Sequence, residues 1–130
     1  MGPYNFKERF APFILDGRKR HTIRATRKVR DKVGNIAHLY VGLRTKWAFL
    51  LGRYQIIKIE PIEILHGCTC KQVACEHSVR VLIADQELSA DEREKLARLD
   101  GFEDFTEMKA FWKGRLPFRG EIIHWNPSKQ

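Results

Sequence analysis

Short runs of β-prone residues cover most of the chain and predict strands. One run alternates in polarity, so that Thr22 and Arg24 would lie on one side of a strand and Ile23 on the other. Within the longest run, Gly52 predicts a bulge or a bend, and Pro61 predicts an interruption because proline cannot donate to a strand ladder. The predicted strands are residues 21–26, 36–41, 47–60, 62–65, 79–84 and 121–125.

Three helices are also predicted, and each begins or ends at a recognisable residue. Apolar side chains share one face of a short helix over residues 6–16, which Gly17 would end. Two later helices reach to about Leu99 and Trp112. They begin at capping boxes, in which an N-cap residue and a glutamate three positions further on bond reciprocally. The boxes are Ser89 with Glu92 and Asp104 with Glu107.

These elements predict an α+β fold. The 130 residues suit one domain over the whole chain, and 43% of them are hydrophobic, which is enough for a small core. About six strands with two or three flanking helices and short connections predict a small, partly closed β-barrel. Because loops converge at the open end of such a barrel, a ligand would lie there.

Basic residues are concentrated in one stretch. The formal net charge is +8, and residues 18–32 alone carry +7 of it, with eight basic side chains and one acid. This concentration is typical of phosphate contact, so nucleic acid is the first candidate partner and an anionic membrane surface the second. A solvated basic face without a ligand is the alternative. No run is long enough for a membrane span, and the first ten residues lack the apolar part of a secretory signal, so we expect a cytoplasmic protein.

The basic stretch begins with an arrangement that suits ligand binding. Gly17 lets the chain turn tightly after the first helix, and Lys19 follows in that turn. Thr22 and Arg24 then emerge on one face of a strand. An ammonium, a hydroxyl and a guanidinium would converge, which suits a ligand with a carbonyl group near a phosphate or a ribose.

The segment from Gly17 to Arg24 resembles the G-x-K-x-x-T-x-R signature of the ASCH domain family, which is named for homology to an activating-signal cointegrator. Further segments along nearly the whole chain support a resemblance to small, single-domain phage and bacterial members. They are Phe10, residues 42–46, Asp100-Gly101-Phe102 with the following helix containing Met108, Phe111 and Trp112, and residues 118–125.

The resemblance implies a fold similar to the PUA domain, a small β-barrel used for RNA recognition, with a cleft around the motif. Some small bacterial members of the family hydrolyse the acetyl amide of acetylcytidine. Others are linked to RNA binding, to transcriptional coactivation or to RNA cleavage, for which His21 would be a candidate base here. Family resemblance therefore implies an RNA- or nucleotide-binding site more directly than it implies a reaction.

In the amidohydrolase members, the motif lysine, the motif threonine and a later glutamate are the proposed catalytic groups. They correspond here to Lys19, Thr22 and Asp100. A lysine in a cationic, partly desolvated site loses basicity, so Lys19 would take the proton of the Thr22 hydroxyl as it attacks an amide carbonyl. Arg24 would hold the substrate or stabilise developing negative charge. Asp100 departs from the family's usual glutamate, and its carboxylate would reach about 1 Å less far.

Each of these residues also has a simpler interpretation. Lys19 would act only as a phosphate contact. Thr22 would be a β-branched strand former that also satisfies a turn hydrogen bond. Arg24 would form a structural ion pair with Asp100 or Glu121. A protein adaptor without a small ligand remains as an alternative, although it leaves the basic stretch unexplained.

Eight residues are expected to contact nucleic acid, four in the cleft and four along a phosphate track that extends from it. The cleft residues are Arg18, Lys19, Thr22 and Arg24, and the track consists of Arg27, Lys28, Arg44 and Lys46. Among the tryptophans, Trp47 is the best candidate for stacking on a base, but core packing is the favoured expectation for it, as for Trp112.

Cysteine and histidine residues lie close together within a predicted hairpin insertion at about residues 66–78. Tetrahedral zinc prefers such ligands, and four protein ligands would indicate a structural site. The alternative is reduced thiols without a metal, because an odd, clustered set is a poor disulfide framework. The predicted ligands are Cys68, Cys70, Cys75 and His77, with His66 as a substitute.

Overall fold

The fold combines one curled β-sheet with three short helices. The computed structural model describes residues 3–28, 31–66 and 79–129, and these contain seven strands in a sheet that curls into a half-barrel. The predicted α+β class is confirmed, and the curled sheet is compatible with a partly closed barrel. The strands are β1 (Tyr4–Phe6), β2 (His21–Arg24), β3 (Ile36–Val41), β4 (Phe49–His66), β5 (Val79–Ile83), β6 (Gln86–Glu87) and β7 (Phe118–Lys129). The helices are α1 (Ala11–Leu15), α2 (Ala90–Leu99) and α3 (Phe105–Trp112).

Strand β4 organises the sheet. It is 18 residues long, and it pairs with β3 in its first part, with β5 in its last part and with β7 along most of its length, always antiparallel. Strand β1 lies beyond β3 and is parallel to it, and β6 lies beyond β5. Strand β2, which contains the second half of the basic motif, pairs with β7. The motif is therefore held at the β7 side of the sheet.

The prediction that Pro61 interrupts the long strand was wrong. Pro61 lies opposite Glu121 within the β4–β7 ladder, and the strand continues through it. On the other edge of β4, the β3 ladder ends at Gln55 and the β5 ladder begins at Ile62. Proline is tolerated in such an edge stretch because no neighbouring strand needs its N–H. The bulge predicted at Gly52 is confirmed by a register shift against β3 at that point.

The N-terminal segment differs from the predicted helix over residues 6–16. Tyr4–Phe6 forms β1, a single 3-10 turn follows at Glu8–Phe10, and α1 has only five residues. Pro12 fits the first turn of α1, where its missing N–H is not needed. Gly17 adopts φ +84° directly after the helix, as predicted from its position. The strand was missed because three residues are too few to show an alternating pattern.

Helices α2 and α3 begin at the predicted capping residues. The Ser89 hydroxyl accepts a hydrogen bond from the Glu92 backbone N–H, and the Glu92 carboxylate accepts one from the Ser89 N–H. At α3 only half of the predicted capping box is present. The Asp104 carboxylate accepts from the Glu107 N–H at 2.8 Å, but the Glu107 carboxylate pairs with Arg9. Among the described residues, no helix is both long and apolar enough to cross a membrane.

The core lies between the sheet and the helices. Trp125 in β7 is 1% exposed, and Trp112 in α3 is 7% exposed, so core packing of Trp112 is confirmed. The same expectation for Trp47 was wrong, because that side chain is 77% exposed. Trp47 belongs to the turn of residues 42–48 that connects β3 to β4, beyond the part of the sheet that the core covers.

Candidate functional site

A cleft of about 460 Å³ lies between the N-terminal segment, β2 and α3. Lys19, Thr22 and Arg24 of the basic motif line it. Asp100, which follows α2, also lines it. The ammonium, hydroxyl and guanidinium groups of the motif therefore share one concavity. Most of the remaining wall is aromatic and consists of Phe6, Phe10, Phe102, Phe111, Trp112 and Phe118.

Lys19 reaches the cleft from the turn after α1. The positive φ of Gly17 reverses the chain, and the Lys19 backbone N–H donates to the Phe13 carbonyl oxygen at 2.9 Å. The Lys19 side chain is buried, and its Nζ donates to the backbone oxygen of Asp100 at 2.7 Å and to Asp100 Oδ1 at 2.6 Å. Two of the three N–H donors of the ammonium are thus used within the protein, and the third is available to a ligand.

Asp100 is held in place by its neighbours in the chain. It caps the C-terminus of α2, and Gly101 follows with φ +99°. A Cβ atom at Gly101 would lie 2.8 Å from Phe10 Cδ1 and 3.6 Å from Lys19 Cδ, so this position requires glycine for both conformation and space. Phe102 then packs edge-on against Phe10 with ring centroids 5.7 Å apart. The Asp100-Gly101-Phe102 segment therefore fits closely around the buried lysine.

Burial and charge pairing shift the ionisation of Lys19 and Asp100. Burial has the largest effect on the pKa of Lys19 and lowers it, while the Asp100 carboxylate acts in the opposite direction. Burial alone would raise the pKa of Asp100, but Lys19 and then His21 hold it below its usual range. Asp100 is therefore a fixed negative charge, and Lys19 is less basic than an exposed lysine.

Arg24 connects β2 to β1. Its Nε donates to Thr22 Oγ1 at 2.9 Å, and its Nη2 donates to the backbone oxygen of Asn5 at 2.5 Å. The guanidinium carbon lies 4.8 Å from the ring centroid of Phe6. Burial, followed by the nearby Arg27, lowers the pKa of Arg24, but a guanidinium remains charged at neutral pH. Because Thr22 Oγ1 accepts this hydrogen bond from Arg24, the hydrogen of the Thr22 hydroxyl can be donated to a ligand.

His21 lies beside Asp100, outside the residues that line the cleft. Its Nε2 is 3.2 Å from Asp100 Oδ1, but without the alignment of a hydrogen bond. The His21 ring also meets the His124 ring edge-on at 5.5 Å, and His124 Nε2 lies 3.0 Å from Glu60 Oε1. Burial, followed by the proximity of His21, lowers the pKa of His124. The spacing of the two histidines in the sequence did not predict this contact, since it depends on the β2–β7 register.

The remaining predicted contacts lie outside the cleft lining. Arg18 is exposed and pairs with Asp16 at 2.7 Å. The Arg27 guanidinium lies 3.9 Å from the ring centroid of Tyr4, and its Nη2 donates to the Pro3 carbonyl oxygen. The other three members of the predicted phosphate track are exposed on the surface: Lys28, Arg44 and Lys46.

Two basic residues of the cleft were missed by the sequence analysis. Lys7 Nζ lies 5.2 Å from the ring centroid of Phe111, and the Arg115 guanidinium lies 4.5 Å from the same centroid. Both line the cleft, so its charged wall consists of four basic side chains and Asp100. Neither residue has a motif around it, and only the tertiary fold brings both to the Phe111 ring.

The four predicted zinc ligands, Cys68, Cys70, Cys75 and His77, lie outside the described residues. Within residues 3–28, 31–66 and 79–129, no group of three or more histidine, cysteine or acidic side chains is arranged to hold a metal ion. The structural zinc therefore stays a prediction.

In comparisons with known proteins, the chain matches no protein-family model, no curated protein and no solved structure.

Proposed function

We propose that the chain binds RNA or a nucleotide-like ligand in the cleft around Lys19, Thr22 and Arg24. One observation carries this proposal: the three motif side chains line the same aromatic cavity. The aromatic wall suits a planar base, because stacking on an aromatic face is favourable for every base. The excess of basic over acidic side chains in the wall suits a phosphate attached to that base.

The available donors also fit this ligand. The third N–H of Lys19 and the hydrogen of the Thr22 hydroxyl are unused by the contacts described above, so each is available to a carbonyl or a phosphate oxygen. Arg115 adds a second guanidinium at the Phe111 side of the cleft. The curled sheet with flanking helices supports the further proposal that the fold is PUA-like, as the sequence resemblance implies.

Titration calorimetry with adenosine and cytidine 5′-monophosphates tests the binding proposal. We expect affinity to fall as salt rises, and each nucleotide to bind more tightly than its nucleoside, because the phosphate supplies the ionic contact. Replacing Arg24 by glutamine should weaken nucleotide binding by about tenfold or more, the usual contribution of a charge-assisted hydrogen bond.

Arg20→Gln is the matched control for the Arg24 experiment. Arg20 is exposed, donates to the Gly17 carbonyl oxygen and does not line the cleft, so its replacement should leave the affinity within about twofold. Thermal melts of both variants separate a loss of binding from a loss of folding. Equal affinities for nucleotide and nucleoside at all salt concentrations would contradict the proposal.

A second candidate function is hydrolysis of an acylated nucleoside such as acetylcytidine. The observation that favours it is that Lys19, Asp100 and the Thr22 hydroxyl, the three groups that the reaction needs, line the same cleft. In this reaction Thr22 Oγ1 would bond to the acyl carbon, and the C–N bond would break. Lys19 would pass the hydroxyl proton to the leaving nitrogen. Water would then hydrolyse the threonine ester and restore the hydroxyl. The lowered pKa of Lys19 supports its role as a base.

Thr22→Val distinguishes the two candidate functions. Valine keeps the shape of threonine but has no hydroxyl, so nucleotide affinity should fall by no more than about tenfold, the contribution of one neutral hydrogen bond. If the chain is an amidohydrolase, release of cytidine from acetylcytidine should fall at least a hundredfold or so, because the nucleophile is gone. Chromatographic measurement of cytidine release reads this directly. Wild-type protein that binds cytidine 5′-monophosphate without releasing cytidine from acetylcytidine would exclude this reaction and leave the binding proposal intact.

A further inference from the structure

The turn between β3 and β4 exposes aromatic side chains that the core does not use. Trp47 is 77% exposed, and Phe49, two residues later, is 58% exposed. The turn itself is well bonded: the Thr45 N–H and hydroxyl both donate to the Gly42 carbonyl oxygen, and the Trp47 N–H donates to Thr45 Oγ1 at 3.1 Å. Trp47 is therefore presented to solvent on an ordered turn, in contrast to the buried Trp112 and Trp125.

The stretch of chain that contains this turn has only basic charged residues. Residues 32–59 contain five lysine and arginine residues and no aspartate or glutamate. Lys46 Nζ lies 5.2 Å from the Trp47 ring centroid, so one cation is already adjacent to the exposed indole. Exposed aromatic rings with basic neighbours and no acids complement a chain that carries both planar groups and negative charges.

The turn is bonded directly to the wall of the cleft. Asn5 Oδ1 accepts a hydrogen bond from the Leu43 N–H at 2.9 Å, and the Asn5 backbone oxygen accepts one from Arg24. Asn5 itself lines the cleft. In addition, β1 and β3 run parallel, with Phe6 of the cleft opposite Val41, the last residue before the turn. The turn that carries the exposed rings is therefore attached to the β1 side of the cleft.

We propose that Trp47, with Lys46, forms a second base-stacking subsite, and that the ligand is single-stranded nucleic acid. One nucleotide occupies the cleft, and a neighbouring base of the same strand stacks on the Trp47 indole, while Lys46 contacts the intervening phosphate. This inference rests on the proposed function, because it takes the cleft as the first subsite. The inference also specifies the ligand as single-stranded nucleic acid, where the proposed function allowed a free nucleotide.

Intrinsic fluorescence with two probes tests the subsite. The probes are adenosine 5′-monophosphate and an oligoadenylate of about eight nucleotides, within the length that a small single-strand-binding fold covers. Because Trp47 is the one highly exposed tryptophan of the three, stacking on it should quench the emission. We expect the mononucleotide to quench only the emission of Trp112, which lines the cleft, and the oligoadenylate to quench the emission of the exposed Trp47 as well. The corresponding oligodeoxyadenylate shows whether the strand must be RNA.

Three variants assign the effect to the indole. Trp47→Ala should weaken oligoadenylate binding, measured by calorimetry, by about tenfold, and should leave mononucleotide binding unchanged. Trp47→Phe should retain most of the affinity, because it keeps a ring. Ile57→Ala is the matched control. Ile57, in β4, is also an exposed apolar residue but lies outside the turn, so its replacement should have no effect.

The outcomes separate this inference from the proposed function. If the mononucleotide binds wild type but Trp47→Ala binds the oligoadenylate as tightly as wild type does, the subsite is overturned and the cleft stands. If the mononucleotide does not bind but the oligoadenylate binds in a Trp47-dependent way, the cleft is not the first subsite. The cleft proposal and the two-subsite arrangement then both fail, and only the stacking of a base on Trp47 is retained. A sedimentation coefficient that rises with protein concentration in wild type and not in Trp47→Ala would assign the surface to self-association and overturn the subsite.

Discussion

Replacing Lys19 by methionine should lower the free energy of unfolding by about 3–5 kcal/mol, the usual effect of removing one partner of a buried ion pair. Methionine retains most of the apolar stem of lysine, so the loss reports mainly on the charge. The Asp100 carboxylate would remain in a buried position after losing the ammonium that bonds it at 2.6 Å. Urea denaturation, monitored by the fluorescence of the buried tryptophans, measures the change.

Two further variants make the Lys19 result interpretable. Lys28→Met removes an exposed lysine of the same basic stretch and should change stability by less than about 0.5 kcal/mol. The double variant Lys19→Met/Asp100→Leu removes both charges and should recover most of the lost stability, because no unpaired carboxylate is left buried. A double variant as unstable as the single one would show that packing, and not charge pairing, holds this part of the cleft.

Replacing Gly101 by alanine should destabilise the protein and disturb the cleft. Two effects combine there: a φ of +99°, which disfavours a side chain, and a Cβ that would lie 2.8 Å from Phe10 Cδ1. Each typically costs about 1–3 kcal/mol. Since Phe10 and Lys19 both lie next to this Cβ, we also expect nucleotide affinity to fall in calorimetric titrations.

Gly34→Ala separates the two effects at Gly101. Gly34 has φ +98°, almost the same backbone conformation, but no atom lies within 4 Å of the Cβ that alanine would add. It should therefore show the conformational cost alone, and the difference between the two variants measures the clash with Phe10. Equal losses of stability at the two positions would mean that the Asp100-Gly101-Phe102 segment can shift to relieve the clash with Phe10 at little cost. The close fit of this segment would then not be needed for the site.

The sequence predicted those parts of the site that depend on local chain geometry. Gly17 ends α1 with a positive φ, which brings Lys19 into the turn that follows, and β2 then brings Thr22 and Arg24 to the same cleft. Such relations span fewer than ten residues and follow from backbone preferences. The capping box at Ser89 was predicted for the same reason.

The parts that the sequence did not predict depend on contacts between distant segments. Lys7, which follows β1, and Arg115, which follows α3, both lie over the Phe111 ring, and neither position has a pattern that reveals this. Pro61 was expected to interrupt a strand. It is tolerated because it lies where neither β3 nor β5 pairs with β4, and the sequence does not show which strands flank β4. Trp47 was expected in the core, because apolar character alone does not distinguish a core position from a turn.

The pairing of β2 with β7 determines when the cleft can form during synthesis. The motif strand has its ladder partner, among the described strands, in the last strand of the sheet, with His21 opposite His124. A ribosome adding about 5–20 residues per second completes β2 several seconds before β7 exists. During that interval β2 lacks the strand with which it pairs. A ligand that needs the finished cleft therefore cannot guide early folding and can stabilise only the completed chain.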